Sequence, residues 1–431
     1  MIFRKTHAEI DLDALRKNFE YIQSSLPGRF LCPMVKANAY GHGDIVISQA
    51  LESFGAKQLG VCLVEEGIRL RSGKVKTDVI VFRGFDKAAA EAMFEYKLTP
   101  VVSNFQHIED LVSASKKFNQ SIDCHVKFDT GMNRLGFDPA DVDKVIQGIK
   151  KSRRLEIRGV LTHLHSGENA DQKDGSSLKQ LQMISSLMKN FSVLGKKGIH
   201  FHAFNSAGVA HLIHSRENPK HVLSVFEKKN NQAIQSISAP GHAPEGMGAR
   251  PGLMIYGYCE SLLSETKDHG QEKIQPVMTL KSQIASIRTL KKNQTVSYGG
   301  TWTAKQKSYV GVVPIGYADG YHRLNSNRAH LTLLGHQVPV IGRVCMDYLM
   351  IDLTAMLQKT RLSINHDSLY RSDVVLFGPK SKQNQISAEE VAQTSDTISW
   401  EVLTSVGERV PRVYTGSSSQ KILQLVTGKR G

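Results

Sequence analysis

The chain has 431 residues, 40% of them hydrophobic and 22% charged, with a formal charge of +15. That length exceeds one ordinary core and points to two domains, and the composition excludes a disordered or fibrous chain. The charge is dispersed. Its densest patch, Lys150-Lys151-Ser152-Arg153-Arg154, has no interleaved aromatics to stack bases, so nucleic acid is not an expected partner, although a basic surface can attract an anionic cofactor or substrate.

In chain order, Leu12, Leu15, Phe19, Ile22 and Leu26 recur at helical spacing, with Asp11 placed to cap the helix and Pro27-Gly28 to end it. An apolar run from Phe30 to Val35 reads as a buried strand that ends in Lys36. Strand-like and helix-like segments then alternate. Strands are expected at Gln58–Val64, Val79–Arg83, Ile122–Phe128, Ile157–His163, Ile199–Phe204 and Gly252–Tyr258. Helices are expected to open at Glu65–Arg71 and to cover Asp86–Tyr96, Asp138–Lys150 and Ser177–Leu194. Such alternation implies an α/β fold, a TIM-type (β/α)8 barrel over residues 1–270. Residues 211–248 are polar and irregular and read as an insertion. From about Gln271 the pattern turns to strands, at Val277–Arg288, Tyr309–Pro314, Leu331–Leu334, Val338–Ile341 and Val374–Phe377. A mainly β domain is therefore expected over 271–431.

The five cysteines are irregularly spaced without a CxxC pair, which indicates neither a disulfide framework nor a thiolate metal site. No apolar run approaches the ~18 residues of a membrane span, and the first residues lack a secretory h-region. A cytoplasmic protein without membrane partners is expected.

Lys36 closes a buried strand, at the end where a barrel carries its active site. A lysine among apolar neighbours loses its proton readily and becomes nucleophilic, which suits a Schiff base with a carbonyl cofactor; a strand-end lysine that snorkels to water is the bland alternative. Two late segments offer donors for a phosphate: His202-Ala203-Phe204-Asn205-Ser206-Ala207-Gly208 and Ala249-Arg250-Pro251-Gly252. His163 and His165, like His200 and His202, are two apart and would share a strand face. With Lys127 as a carbamate, they leave a metal-dependent amidohydrolase open, although no Asp/Glu cluster accompanies them.

The run Met34-Val35-Lys36-Ala37-Asn38-Ala39-Tyr40-Gly41-His42-Gly43 resembles the cofactor-lysine signature of alanine racemases. The resemblance continues collinearly through Lys127-Phe128-Asp129-Thr130-Gly131-Met132-Asn133-Arg134-Leu135-Gly136, Thr162-His163, Asn205-Ser206-Ala207 and Arg250-Pro251-Gly252. It extends to Val296-Ser297-Tyr298-Gly299, Gly316-Tyr317-Ala318-Asp319-Gly320, Gly342-Arg343-Val344-Cys345-Met346-Asp347 and Arg409-Val410-Pro411-Arg412.

The resemblance implies a pyridoxal 5'-phosphate enzyme that interconverts L- and D-alanine, supplies D-alanine for peptidoglycan and works as a homodimer with shared active sites. Lys36 would carry the cofactor; Tyr40, Asn205, Ser206 and Gly252 would hold its phosphate. Arg250, supported by His163, would face the pyridine nitrogen. An always-charged arginine there disfavours protonation of that nitrogen and so transamination. Arg134 would meet the phenolic oxygen and the substrate, oriented by a carbamylated Lys127. Tyr298, with Cys345, Asp347 and the substrate contact Met346, would come from the partner subunit, and Tyr317 would line the entrance. Lys36 and Tyr298 would then act as acid and base on opposite faces. Relatives place a phosphate-binding tyrosine where this chain has Glu408. A racemase of broader amino-acid specificity and a barrel-fold pyridoxal-phosphate decarboxylase remain alternatives; the latter would pair the pyridine nitrogen with a carboxylate.

Overall fold

The computed structural model describes residues 4–167, 175–192, 198–217, 246–259, 274–380, 385–417, 419 and 422. The chain opens with strand β1 (His7–Asp11), and Asp11 then accepts hydrogen bonds from Asp13 N and Ala14 N to cap the helix Leu12–Ser25. Leu12, Leu15, Phe19 and Ile22 are buried along one stripe of that helix.

Seven parallel strands follow: β2 (Gln58–Val61), β3 (Asp78–Val81), β4 (Thr99–Val102), β5 (Ile122–Lys127), β6 (Leu155–Leu161), β7 (His200–Phe204) and β8 (Gly248–Ala249), paired in that order. The apolar run Phe30–Val35 closes the ring. Cys32 N donates to Ala249 O and Ala249 N to Phe30 O on one side. Val35 N donates to Gly60 O and Gly60 N to Pro33 O on the other. Each edge of the sheet thus finds its backbone partners, and the barrel has eight staves. Phe30, Cys32, Ile80, Val101 and Leu161 form a cluster buried within it.

The second part is β-rich: β9 (Met278–Ser282), β10 (Ser286–Leu290), β11 (Thr295–Val296), β12 (Trp302–Thr303), β13 (Ser308–Val313), β14 (His330–Leu333), β15 (His336–Ile341), β16 (Leu349–Asp352), β17 (Val374–Phe377) and β18 (Arg412–Thr415). β1 pairs parallel with β18 and antiparallel with β9, so the first strand of the chain belongs to the last sheet.

Some elements differ from the sequence expectation. Gly252–Tyr258 is not a strand: Leu253–Tyr256 forms a 3-10 turn that Gly257 ends at φ 92°. The run Val277–Arg288 splits into β9 and β10 at Gln283–Ala285. β4 and the helix Phe105–Phe118 went unread, as did four short helices in the β-rich part. Within the 211–248 stretch, residues up to Glu217 continue the helix Ser206–Glu217, and Gly248 enters β8. Residues 218–245 of it lie outside the described residues.

Candidate active site

Lys36 follows the first stave directly, at the carboxyl end of the barrel. The next four residues, Ala37, Asn38, Ala39 and Tyr40, all have φ between 51° and 54°. A left-handed run of this kind costs roughly 1–2 kcal/mol per L-residue, so the surroundings must hold it. Ala37 N donates to Glu66 Oε1 at 2.7 Å, and Asp44 N donates to Asn38 Oδ1 at 2.9 Å. His42 Nδ1–H is shared between the carbonyls of Ala39 and Tyr40 at 3.0 and 2.9 Å. Arg412, from β18, donates twice to Gly41 O, at 2.9 and 2.8 Å. The turn swings Tyr40 back so that Lys36 Nζ lies 5.9 Å from its ring centroid.

The phenol of Tyr40 reaches Gly252, where a Cβ would come within 2.2 Å of Tyr40 Oη. Ser206 Oγ accepts from Gly252 N at 2.9 Å and Met254 N at 3.3 Å, which leaves its own proton free to point outward. Ser206 also opens the helix Ser206–Glu217. Burial raises the pKa of Tyr40, so the phenol stays a neutral donor. Two hydroxyls, a helix N-terminus and a glycine without a side chain make a cradle for an oxyanion. Asn205 stands beside it and is engaged elsewhere. Its Oδ1 accepts from Gly208 N as a cap, and its Nδ2 donates to Leu164 O.

Arg250 is 5% exposed at the end of β8. Its Nη1 donates to His202 Nδ1 at 2.6 Å and His202 O at 2.8 Å; its Nη2 donates to Thr162 O at 2.6 Å and lies 3.5 Å from His163 Nδ1. Burial pushes its pKa down to about 10, which leaves it cationic at neutral pH. Burial, then Arg250, depresses His163 well below the ordinary histidine value, so that imidazole is neutral. Lys127, buried at the end of β5, is lowered to about 8 by burial and then by the charges of Arg250 and Arg134. Arg134 is exposed, on a loop whose amides Gly131 N, Asn133 N and Arg134 N converge on the Asp129 carboxylate.

A second cluster sits on the β-rich part. Ser297, at φ 65°, donates through Oγ to Arg343 O at 2.6 Å and turns Tyr298 outward, 71% exposed. Tyr317 N donates to Cys345 O and Ala318 N to Met346 O, while Asp347 pairs with Arg409 at 2.7 Å. The structure thus gathers Tyr298, Tyr317, Cys345, Met346 and Asp347 into one ridge. Among the described residues, no hydrogen bond or ion pair joins this ridge to Lys36, Ser206 or Arg250 within the chain. Tyr348, whose carbonyl accepts from Cys345 N at 2.8 Å, extends it as exposed surface.

A family model described as the alanine racemase N-terminal domain matches residues 10–219, and one described as the C-terminal domain matches 277–414. An alanine racemase of Thermodesulfovibrio yellowstonii is 35% identical over 95% of this chain and 98% of its own length. The chain belongs to the alanine racemase family, whose members are isomerases. The solved alanine racemase of Clostridium difficile 630, in complex with cycloserine, is 26% identical with a TM-score of 0.77, covering 97% of each chain. That of Bartonella henselae, with covalently bound pyridoxal phosphate, is 25% identical with a TM-score of 0.74, covering 95% of this chain and 99% of its own.

At Glu408, where alanine racemases were expected to carry a phosphate-binding tyrosine, the carboxylate is 84% exposed and lies 3.6 Å from Arg69, with no bond to Tyr40, Ser206 or Gly252. Three residues that build the site, His125, Glu66 and Arg412, were given no role by the sequence, and His202 was read as half of a histidine pair rather than as the partner of Arg250. His125 was legible only as an inward-facing strand position. Glu66 and Arg412 clamp the left-handed turn from other elements, and nothing local marks them.

Proposed function

We propose that the protein interconverts L- and D-alanine with pyridoxal 5'-phosphate, Lys36 and Tyr298 moving the Cα proton from opposite faces. The observation that carries this reading is the convergence of Lys36, Tyr40, Ser206, Gly252 and Arg250 at the carboxyl ends of the staves, with no carboxylate among the five. The fit to the cofactor is specific. Tyr40 Oη, Ser206 Oγ and the open space at Gly252 suit a phosphate. A cation rather than a carboxylate is available for the pyridine nitrogen, which argues for racemisation over decarboxylation. Both nitrogens of His202 are engaged, by Arg250 and His125, so it is a poor metal ligand. When bound, the cofactor supplies an electron sink for the carbanion at Cα.

The chain's own residues do the rest. The amine of Lys36 anchors the cofactor and exchanges one proton with Cα; the phenol of Tyr298 exchanges the other. Asn205 borders the phosphate. Lys127, with its lowered pKa, is a good candidate for carbamylation, because a neutral amine reacts with CO2 and the resulting anion would face Arg134 and Arg250. Arg134 and Met346 contact the amino acid, Tyr317 lines the entrance, and Cys345 and Asp347 support the ridge. Because the ridge is exposed and, among the described residues, no hydrogen bond or ion pair joins it to Lys36 within one chain, we read the enzyme as a homodimer in which each barrel (residues 1–270) meets the partner's β-rich domain (271–431). The reading carries with it a cytoplasmic role in supplying D-alanine for peptidoglycan. No helix among the described residues is long and apolar enough to cross a membrane.

The direct test is a visible absorption spectrum and metal analysis of the purified protein, with L-alanine turnover followed by chiral detection of D-alanine. A cofactor band, racemisation and a lower rate in CO2-free buffer are expected. A stoichiometric metal without band or racemisation would overturn the reading. Gly252→Ala is a sharper probe of the cradle. Its methyl would collide with Tyr40 Oη, and overpacking of this kind costs about 1–3 kcal/mol. Cofactor affinity should fall roughly ten- to hundredfold, measured by titration of the cofactor-free protein; unchanged affinity would count against the cradle.

A further inference from the structure

Inside the barrel, Arg250 begins a line of imidazoles that the proposed function leaves unused. His202 Nδ1 lies 2.6 Å from Arg250 Nη1, and His202 Nε2 lies 2.8 Å from His125 Nδ1. His202 is fully buried and His125 is 2% exposed. Burial, the largest cause for both, pushes His125 down to about 3 and His202 well below its ordinary value, so both rings are neutral. Phe30 stacks on His202 at 4.5 Å between centroids and lies 5.7 Å from the His125 ring. The His125 ring fits against Gly159, where a Cβ would come within 2.1 Å of Nδ1.

The direction of each bond follows from one end. A guanidinium has donors only, so His202 Nδ1 must accept. The single proton of that neutral ring then sits on Nε2 and is donated to His125 Nδ1. His125 in turn carries its own proton on Nε2. If His202 held the other tautomer, its Nδ1–H would face a guanidinium N–H, donor against donor.

We infer that His125 is a positioning residue: by accepting from His202 Nε2–H it locks His202 in the tautomer that holds the Arg250 guanidinium in place for the cofactor. The catalytic consequence rests on the reading of Arg250 given above; the tautomer chain does not. Without an acceptor at the Nδ1 position, His202 Nε2–H is a buried unpaired donor, and the ring gains a reason to turn or to change tautomer. An asparagine at 125 can return an amide oxygen close to the lost Nδ1, whereas leucine, of similar shape, cannot.

The experiment uses the full chain with 15N-labelled histidine, cofactor-free and loaded, and long-range proton–nitrogen spectra that report which ring nitrogen is protonated. In both forms His202 and His125 should be Nε2–H. His125→Leu should shift His202 away from Nε2–H and lower kcat roughly tenfold with KM for alanine within about twofold, with more transamination by-product. His125→Asn should restore both the tautomer and the rate. Gly159→Ala, which displaces the ring without altering it, should reproduce the leucine result and serves if the leucine variant does not fold. An Nδ1–H tautomer at His202 in the unaltered protein, or leucine and asparagine variants alike in tautomer and kcat, would overturn the inference. Failure of the functional reading would appear separately, as no cofactor band in the unaltered protein, while the spectra of the cofactor-free form would still decide the tautomer.

Discussion

Lys36→Ala is expected to remove the visible band of the cofactor-loaded protein and essentially all racemisation. The substitution takes away both the covalent anchor and one of the two proton carriers, and a positioned acid/base alone contributes ~10²–10⁴ in rate. The fold should survive. The left-handed turn that follows Lys36 is held by Glu66, His42 and Arg412 through the backbone of residues 37–41, and none of these bonds involves the amine. Thermal denaturation of the variant should therefore stay close to that of the unaltered protein, and cofactor should still bind reversibly through the cradle. Borohydride treatment separates the outcomes: it should fix cofactor to the unaltered protein and not to the variant. A borohydride-fixed cofactor in the alanine variant would mean that another residue is the anchor.

The barrel was legible because its staves are short, apolar and separated by helical patterns, a signal that survives without knowledge of contacts. What escaped was decided by partners far away in the chain. The sequence Ala-Asn-Ala-Tyr carries no mark of four left-handed residues, since only glycine and, less often, asparagine visit that region readily; the turn exists because Arg412 holds its carbonyl end from 371 residues away. β1 is short, and its pairing depends on β9 and β18. Gly252–Tyr258 is an apolar run whose periodicity cannot tell a buried strand from a buried turn, and the backbone of Gly257 at φ 92° decides it. His202 read as half of a metal pair because His200 is its neighbour in sequence. Its actual partners lie 77 and 48 residues away, on β5 and at the end of β8, where parallel register brings them inward.

Tyr298→Phe should produce an asymmetric defect rather than a uniform loss. The residue is 71% exposed in one chain and loses only its hydroxyl, so stability should change by no more than about 0.5 kcal/mol. Chemically, one face of Cα loses its proton carrier while Lys36 still serves the other. In deuterated water one enantiomer of alanine should keep exchanging its α-hydrogen, and the other should exchange ~10²–10⁴ times more slowly, with inversion nearly blocked. Equal loss for both enantiomers, or none for either, would contradict the assignment of two proton carriers. The same variant tests whether the site is shared. Among the described residues no hydrogen bond or ion pair joins Tyr298 to Lys36 within one chain, and Tyr298 is 71% exposed, so the proposed reading has the two meet across subunits. A mixed dimer of Lys36→Ala and Tyr298→Phe protomers then has one site with both groups intact and one with neither. Each variant alone should be nearly inactive, and subunit exchange between them should restore up to about a quarter of normal turnover: half of the dimers are mixed at random pairing, and half of the sites in each mixed dimer are whole. If exchange is verified by mass and turnover does not recover, Tyr298 does not complete the site of its partner.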